Sequence, residues 1–316
     1  MISVILPVYN NKDTICQVVD SYLGQSSDAE VEIIIIDDGS NDGTDETLPR
    51  YNHAQRVRII RHEERQGVVS ARNTGIQAAS GDYLLFGVGD AFVSSRYIGN
   101  ALNLFSNNHS IAGIVGPVII HGAYQDDLFA RYLNRTRGAG RHNTGQTLPP
   151  EHIIFTNIIL QAGLVRSAGY FDEDFSGYGG HEVDYASRMI DAQSGDIIFS
   201  EQLPSYRLAY RPLKHTCDKF YQFGAQNLHR LIGKYPQFTT TYKINLLNSI
   251  PSFFRAALPR LYRFLYRKIP TTRDGKLASR TKLLPDQVGF FLIKFMLGLA
   301  LLSGFQSSQE SLVDKK

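Results

Sequence analysis

Apolar runs alternate with amphipathic stretches along the first 120 residues of the chain. Dense runs of β-branched residues predict strands, and apolar residues that recur every three or four positions predict helices. The run at 31–36 is apolar enough for a strand that is buried on both faces. The predicted strands lie at 2–6, 31–36, 57–60, 82–86 and, as a pair, within 111–120, and the predicted helices lie at 15–23, 45–50, 67–80 and 97–105. This alternation is typical of an α/β domain with a mainly parallel, doubly wound sheet.

The pattern changes twice further along the chain. Residues 121–150 lack periodicity and are rich in glycine and arginine, so we expect an irregular loop, and a loop of this length is usually either functional or disordered. Regular structure is predicted again over 153–210, and after Lys214 the pattern becomes helical. We therefore divide the chain into an α/β domain over 1–214 and a helical tail over 215–316.

The tail is basic and contains a long apolar stretch. The whole chain of 316 residues has a net charge of only +3, yet residues 255–282 hold nine arginines and lysines and a single acidic residue, Asp274. The apolar stretch at 288–305 is interrupted by Lys294, which is costly at the centre of a membrane span. We expect a helix that lies on an anionic membrane surface rather than a segment that binds nucleic acid. A core or partner-binding helix, a true span and a solvated basic face stay open.

The expected compartment follows from the cysteines and from the first residues. Cys16 and Cys217 show neither metal-ligand spacing nor a disulfide framework. The chain starts directly with an apolar strand, without the basic and apolar segments of a signal peptide. We therefore expect a cytoplasmic protein that is peripheral on the cytoplasmic face of the membrane.

Candidate chemistry lies where the predicted strands end, because open α/β sheets bind ligands at the carboxyl ends of their strands. The first strand ends in Pro7-Val8-Tyr9-Asn10, the second in Asp37-Asp38-Gly39-Ser40 and the fourth in Gly87-Val88-Gly89-Asp90. Neither a dinucleotide fingerprint nor a P-loop is present. An aromatic ring, carboxylates and open backbone suit a base, a ribose and a metal-bound diphosphate.

Six short blocks in a fixed order resemble the family 2 glycosyltransferases, which have the GT-A fold. The blocks are VILPVYN (4–10), IDDGSNDGT (36–44), GVVSARNTG (67–75), GDYLLF (81–86), GYFDE (169–173) and GGHEVD (179–184). The resemblance implies an inverting transferase that uses a nucleotide-diphospho sugar, with uridine as the favoured nucleoside. It implies a nucleotide-sugar-binding half over 1–120 and an acceptor half over 151–214.

The resemblance also implies which residues hold the donor. Pro7, Val8 and Tyr9 would line the nucleotide site, and the Tyr9 ring would stack on the base. Asp38 would accept a hydrogen bond from the base, and Arg72 would contact the base or its surroundings. The plainer alternatives are a core tyrosine, an aspartate that caps a turn and a surface arginine.

The expected metal site departs from the family pattern. The family has Asp-x-Asp where this chain has Val88-Gly89-Asp90. Asp90 would bind Mn²⁺ or Mg²⁺ together with diphosphate oxygens and a further ligand such as His215, since these cations prefer oxygen ligands and neutralise a leaving diphosphate. Two alternatives remain open: arginines within 131–141 replace part of the metal's charge, or the protein is impaired.

The acceptor base is expected in the block at 179–184. Glu182 matches the position of the family's catalytic aspartate and is the favoured base, with His181 in reserve. Gly179 and Gly180 would let the chain approach the sugar closely, and Asn157 is a candidate acceptor contact. A catalytically weak homologue that binds nucleotide or glycan as a partner subunit is the alternative function, motivated by Val88 and His181.

Overall fold

The protein is described here by a computed structural model that covers residues 1–120, 122–124, 127–137, 142–192, 195–269 and 285–313. Arg141 and the basic residues within 273–282 lie outside these ranges. The chain forms two compact units. The first unit comprises Met1–Ala123, Leu133–Glu173 and Glu182–Tyr210, and the second comprises Tyr124–Tyr132, Asp174–His181 and Arg211–Lys316.

Ten strands of the first unit form two sheets. They are β1 (Ile2–Val8), β2 (Val31–Asp37), β3 (Val57–Arg61), β4 (Tyr83–Phe86), β5 (Ala91–Val93), β6 (Ile111–Val115), β7 (Val118–Ile120), β8 (Ile158–Gln161), β9 (Asp196–Phe199) and β10 (Ser205–Arg207). The larger sheet has seven strands in the order β3-β2-β1-β4-β8-β6-β9. Only β8 runs antiparallel to its neighbours β4 and β6. The smaller sheet has the order β5-β10-β7. The mainly parallel sheet predicted from the sequence is confirmed.

Helices follow or precede most strands of the first unit and make up most of the second unit. They are α1 (Ile15–Leu23), α2 (Thr44–Thr47), α3 (Val68–Ala78), α4 (Tyr97–Asn107), α5 (Leu128–Arg137), α6 (Ala162–Ala168), α7 (His181–Asp191), α8 (Leu213–Gln226), α9 (Leu228–Lys234), α10 (Phe238–Thr241), α11 (Ile244–Asn248), α12 (Ser252–Lys268) and α13 (Asp286–Val313).

Side chains of β1 enter two separate cores, one on each face of the large sheet. Val4 and Leu6 pack with residues of α1 and α4, whereas Ile5 packs with residues of α3, α6 and α7. The alternation follows from the period of two along a strand. Gly75 lets α3 lie close to the sheet, because a Cβ there would collide with the Ile5 side chain. Helices on both faces define the doubly wound architecture.

The expectation of an irregular stretch over 121–150 is wrong in part, because α5 occupies its middle. The Asp127 carboxylate accepts a hydrogen bond from the Ala130 N–H at 2.9 Å, which satisfies a free donor of the first helical turn. Leu128 and Phe129 are buried, so a short apolar face stabilises the helix. Arginines at other positions of the helix interrupt the apolar pattern in the sequence.

The second unit is built around the contact of α8 with α13. Gly224 of α8 approaches the backbone at Leu301, and Gly304 of α13 approaches the backbone at Tyr221, so a Cβ at either glycine would meet main-chain atoms. Among the described residues, one helix, over Asp286–Gln309, is long and apolar enough to cross a membrane, and half of its apolar window is buried inside the protein. Length and composition alone do not separate such a helix from a core helix.

Candidate functional site

Three neighbouring parallel strands end at the same edge of the large sheet. Tyr9, Asp38 and Asp90 lie in the segments that follow β1, β2 and β4, which are adjacent in the sheet. Hydrogen bonds join these segments: the Asn10 N–H donates to Ser40 Oγ at 3.0 Å, and Thr14 Oγ1 donates to the Gly89 carbonyl at 2.7 Å. The three candidate donor-binding residues therefore share one rim.

The Asp38 carboxylate is almost buried and holds the segment after β3. Its Oδ1 accepts hydrogen bonds from His62 Nδ1 at 2.8 Å and from the Gln66 N–H at 2.9 Å, and its Oδ2 accepts one from the Gly67 N–H at 2.8 Å. Only 4% of the residue is exposed. Thr74 Oγ1 fixes the other side of the imidazole at 3.0 Å. Within the described chain, one acceptor position on Oδ2 is left for a ligand.

The ring of Tyr9 is half-buried, and Arg65 lies over one of its faces. The guanidinium carbon is 4.0 Å from the ring centroid, which is a cation–π contact. A base that stacks on Tyr9 uses the other face or takes the place of Arg65.

Open space lies beside this part of the rim. A cavity of ≈ 670 Å³ is lined by residues that follow or end β3, namely Arg61, His62, Glu63, Glu64 and Gln66. Its volume is in the range of sites that hold small ligands. The cavity shares His62 and Gln66 with the hydrogen bonds of Asp38, so a ligand there would lie next to that carboxylate.

Asp90 is buried against an arginine. Its Oδ1 lies 3.4 Å from Arg207 Nε, and its side chain is 3% exposed, compared with 16% for Arg207. The small sheet causes this contact, because Ala91 of β5 pairs with Arg207 of β10 and the Leu208 N–H donates to the Asp90 carbonyl at 2.8 Å. A unit positive charge therefore lies where the sequence predicts a divalent cation.

The predicted metal ligands do not form a metal site in the described part of the chain. No group of three or more His, Cys, Asp or Glu side chains is placed there to hold a cation. Val88 supplies no ligand. His215 lies on α8, and burial lowers its pKa, with a further lowering by Arg211 and Lys219. Positive neighbours of this kind disfavour a bound cation.

Glu182 is held by Arg72. Arg72 Nη2 donates to Glu182 Oε1 at 2.7 Å and to the Phe155 carbonyl at 2.9 Å. The arginine side chain is 3% exposed and lies near the rings of Phe155 and Phe171, whereas Glu182 is 26% exposed. Arg72 thus contacts the candidate catalytic base, Glu182.

The two glycines before α7 pack against side chains of the protein itself. Gly179 and Gly180 have φ values of 82° and 86°, and added Cβ atoms would meet the rings of Phe223 and Phe175. Asn227 Nδ2 donates to the carbonyls of this loop, including that of Gly179 at 2.9 Å. The glycines are therefore needed for the loop's own packing. His181, the first residue of α7, is buried.

The three remaining candidates, Asn157, Val8 and Pro7, are buried or half-buried in the protein. Asn157 is 1% exposed; Tyr97 Oη donates to its Oδ1 at 2.7 Å, and its Nδ2 donates to the carbonyls of Pro117 and Leu203. These contacts use its amide inside the protein, so an acceptor contact is not supported. The Val8 side chain lies in the core, and only its carbonyl, which accepts from the Asp38 N–H, reaches the rim. Pro7 is half-buried within β1.

Four residues of the site were missed in the sequence. His62 and Arg65 follow β3, so the rule that selects strand ends would have found them. Arg207 and Asn227 lie far along the chain from Asp90 and Gly179, and no local pattern in the sequence connects them.

Comparison with known proteins finds related glycosyltransferases. The family described as Glycosyl transferase family 2 matches residues 3–159. The protein named "Uncharacterized glycosyltransferase EpsJ" of Bacillus subtilis is 42% identical over 96 residues, which are 30% of this chain and 27% of that protein. The chain spans less than two thirds of the length of the curated relatives that it matches most strongly.

Two solved structures share the fold. A mannosyltransferase of Pyrobaculum calidifontis in complex with GDP-Man and Mn²⁺ has a TM-score of 0.58 and 14% identity over 95% of this chain and 86% of its own. Staphylococcus aureus TarS 1–349 in complex with UDP-GlcNAc has a TM-score of 0.51 and 14% identity over 100% and 92% of the two chains.

The fold is that of a GT-A type α/β domain. The chain belongs to the family 2 glycosyltransferases, a family of transferase enzymes.

Proposed function

We propose that the protein moves a sugar from a nucleotide-diphospho sugar to a hydroxyl of a glycan or lipid-linked acceptor, with inversion at the anomeric carbon. The observation that carries the proposal is the shared rim of Tyr9, Asp38 and Asp90 at the ends of three adjacent strands. Family membership supports a transferase over a partner subunit that only binds. Residues 1–120 would hold the donor and residues 151–214 would contribute to the acceptor side.

Asp38 favours uridine as the nucleoside. Two donors already occupy Oδ1, and the backbone of Gly67 occupies one position on Oδ2. The remaining position suits the single N3–H of uracil better than the adjacent donors of guanine, which need both oxygens. Tyr9 would stack on the same base. Among structures that share the fold, both kinds of donor occur: TarS is in complex with UDP-GlcNAc and the mannosyltransferase with GDP-Man.

Glu182 is the proposed base. The acceptor oxygen forms a bond to the anomeric carbon while the bond from that carbon to the diphosphate oxygen breaks, and the electron pair stays on the diphosphate. The acceptor's proton passes to the Glu182 carboxylate. Arg72 would hold this carboxylate in position and so act as a positioning residue. His181 is the reserve base of the same segment.

The second unit is proposed to contact an anionic membrane surface. Val288, Phe291, Leu292 and Phe295 of α13 are exposed and lie at positions i, i+3, i+4 and i+7, which form one helical face. Lys294 is exposed beside this face, and α12 adds further exposed arginines. Apolar insertion combined with basic residues is the pattern of helices that lie on anionic bilayers.

A donor panel tests the proposed reaction. The purified protein is incubated with UDP-, GDP- and dTDP-sugars and glycan or lipid-linked acceptors, and release of the nucleoside diphosphate is measured. We expect release from a UDP-sugar that increases with acceptor. Binding of nucleotide without turnover on any acceptor would instead support the partner-subunit alternative.

A further inference from the structure

An arginine is built into the rim at the point where a divalent cation is expected. Arg207 Nε lies 3.4 Å from Asp90 Oδ1, and the pairing of β5 with β10 fixes both residues. Both are backbone-anchored, since Ala91 pairs with Arg207 and the Leu208 N–H donates to the Asp90 carbonyl. The sheet therefore fixes the backbone positions from which the two side chains meet.

The donor set at this point does not fit a divalent cation. Mg²⁺ is held in nucleotide sites by one or two carboxylates together with substrate phosphates. Here Val88 replaces the first of the two expected carboxylates, and the second, Asp90, is 3% exposed and lies against Arg207. The described residues contain no cluster of three metal-ligating side chains. A cation beside Asp90 would also be repelled by the guanidinium of Arg207.

We infer that Arg207 supplies the positive charge that pairs with the donor's diphosphate, and that donor binding needs no divalent cation. The inference rests on the proposed function, because it presumes a nucleotide-diphospho sugar at this rim. A guanidinium presents several N–H donors in one plane and matches phosphate oxygens in pairs. Its side chain is 16% exposed, and its Nε lies 3.4 Å from Asp90 Oδ1.

Asp90 has a different role in this arrangement from that of a metal ligand. Its buried carboxylate holds Arg207 in one orientation, which makes Asp90 a positioning residue for the arginine. When the glycosidic bond to the diphosphate breaks, negative charge grows on the leaving oxygen. The fixed guanidinium stabilises that charge without reorganisation.

The test is calorimetric titration of the purified full chain with UDP in excess EDTA. We expect wild-type protein to bind UDP, and Arg207→Ala to weaken binding roughly tenfold or more, because a hydrogen-bonded charge is lost. Arg207→Lys keeps the charge without the planar fork and should fall between the two. Arg56→Ala removes an exposed arginine at the opposite end of the sheet and should bind as wild type does. Circular dichroism checks that each variant is folded.

Added Mn²⁺ provides a second arm that requires no variant. The UDP affinity of the wild-type protein should be the same with EDTA and with millimolar Mn²⁺. UDP binding that appears only with Mn²⁺, or an Arg207→Ala protein that binds UDP as tightly as wild type, would overturn the role of Arg207 and leave the proposed function standing. Absence of UDP binding in every condition would overturn the proposed uridine donor itself.

Discussion

At the scale of single residues, Asp38 combines a structural and a binding role in one carboxylate. Three donors from the segment after β3 converge on it, which leaves one acceptor position on Oδ2 for the proposed base. Here the same donors also orient the free position, so loop structure and nucleotide affinity depend on each other.

Asp38→Ala should therefore weaken UDP binding and also lower stability. Each backbone donor that loses its buried partner costs about 1–3 kcal/mol. His62→Ala removes one donor and leaves the carboxylate in place, so it should weaken UDP binding less. Calorimetry and thermal unfolding measure the two effects. Equal UDP affinity in Asp38→Ala and wild type would rule out a direct contact with the base.

Glu182→Gln should bind the donor normally but turn it over much more slowly. Glutamine has nearly the same shape but cannot take a proton, so turnover should fall by roughly a hundredfold or more, while UDP affinity stays unchanged. Glu201→Gln makes the same change at an exposed turn and should turn over normally. Near-normal turnover of Glu182→Gln in steady-state kinetics would move the base to another residue, with His181 next to be tested.

At the scale of elements, strands were easier to predict than the contacts between them. The runs that became β1 and β2 are apolar because they are buried on both faces, and this local property is visible in the sequence. The antiparallel insertion of β8 and the pairing of β5 with β10 join distant segments and leave no local pattern. Arg207 was missed for this reason, although Asp90 was found.

The same limit applies to α5 and to the glycines before α7. The helix α5 is only 10 residues long and is followed by a glycine-rich stretch, so its apolar residues were assigned to an irregular segment. Gly179 and Gly180 were expected at the acceptor sugar, yet their positive φ values and the rings beside them serve the loop. A glycine pair in a sequence shows that space is tight but does not show what fills it.

The exposed face of α13 should be needed for membrane contact. Phe291 is 67% exposed, so its replacement removes apolar area that a bilayer would bury and leaves the core intact. Phe291→Ser together with Phe295→Ser should reduce sedimentation with vesicles that contain anionic lipid, because each aromatic ring contributes about 1.5–3 kcal/mol when it is buried.

Leu246→Ser is the matched control for this experiment. It removes an exposed leucine of α11, a different helix of the same unit, and should sediment as wild type does. Wild-type binding to anionic vesicles should weaken at high salt. Unchanged sedimentation of the double variant would exclude the α13 face as the contact.

At the scale of the whole molecule, the second unit should be the part most sensitive to acid. Burial lowers the pKa of His229 on α9 and of His215 on α8 below the usual value of about 6.5. As the pH falls through that value, the unfolded chain takes up protons that the folded unit resists. The free energy of unfolding therefore decreases below about pH 6.5.

Thermal unfolding at neutral pH and near pH 5.5 measures this effect. His229→Gln with His215→Gln should lose less stability between the two pH values than wild type, since neither side chain then titrates. His53→Gln changes an exposed histidine of the first unit and should behave as wild type. A double variant that is as acid-sensitive as wild type would place the titrating groups elsewhere.

The proposed function depends most on the binding of a uracil nucleotide at the shared rim of the first unit. A crystal structure of the protein grown with UDP tests this directly. We predict the uracil ring against Tyr9, its N3–H donating to Asp38 Oδ2, and the diphosphate beside Arg207. A structure in which UDP lies away from Tyr9 and Asp38 would contradict the central claim.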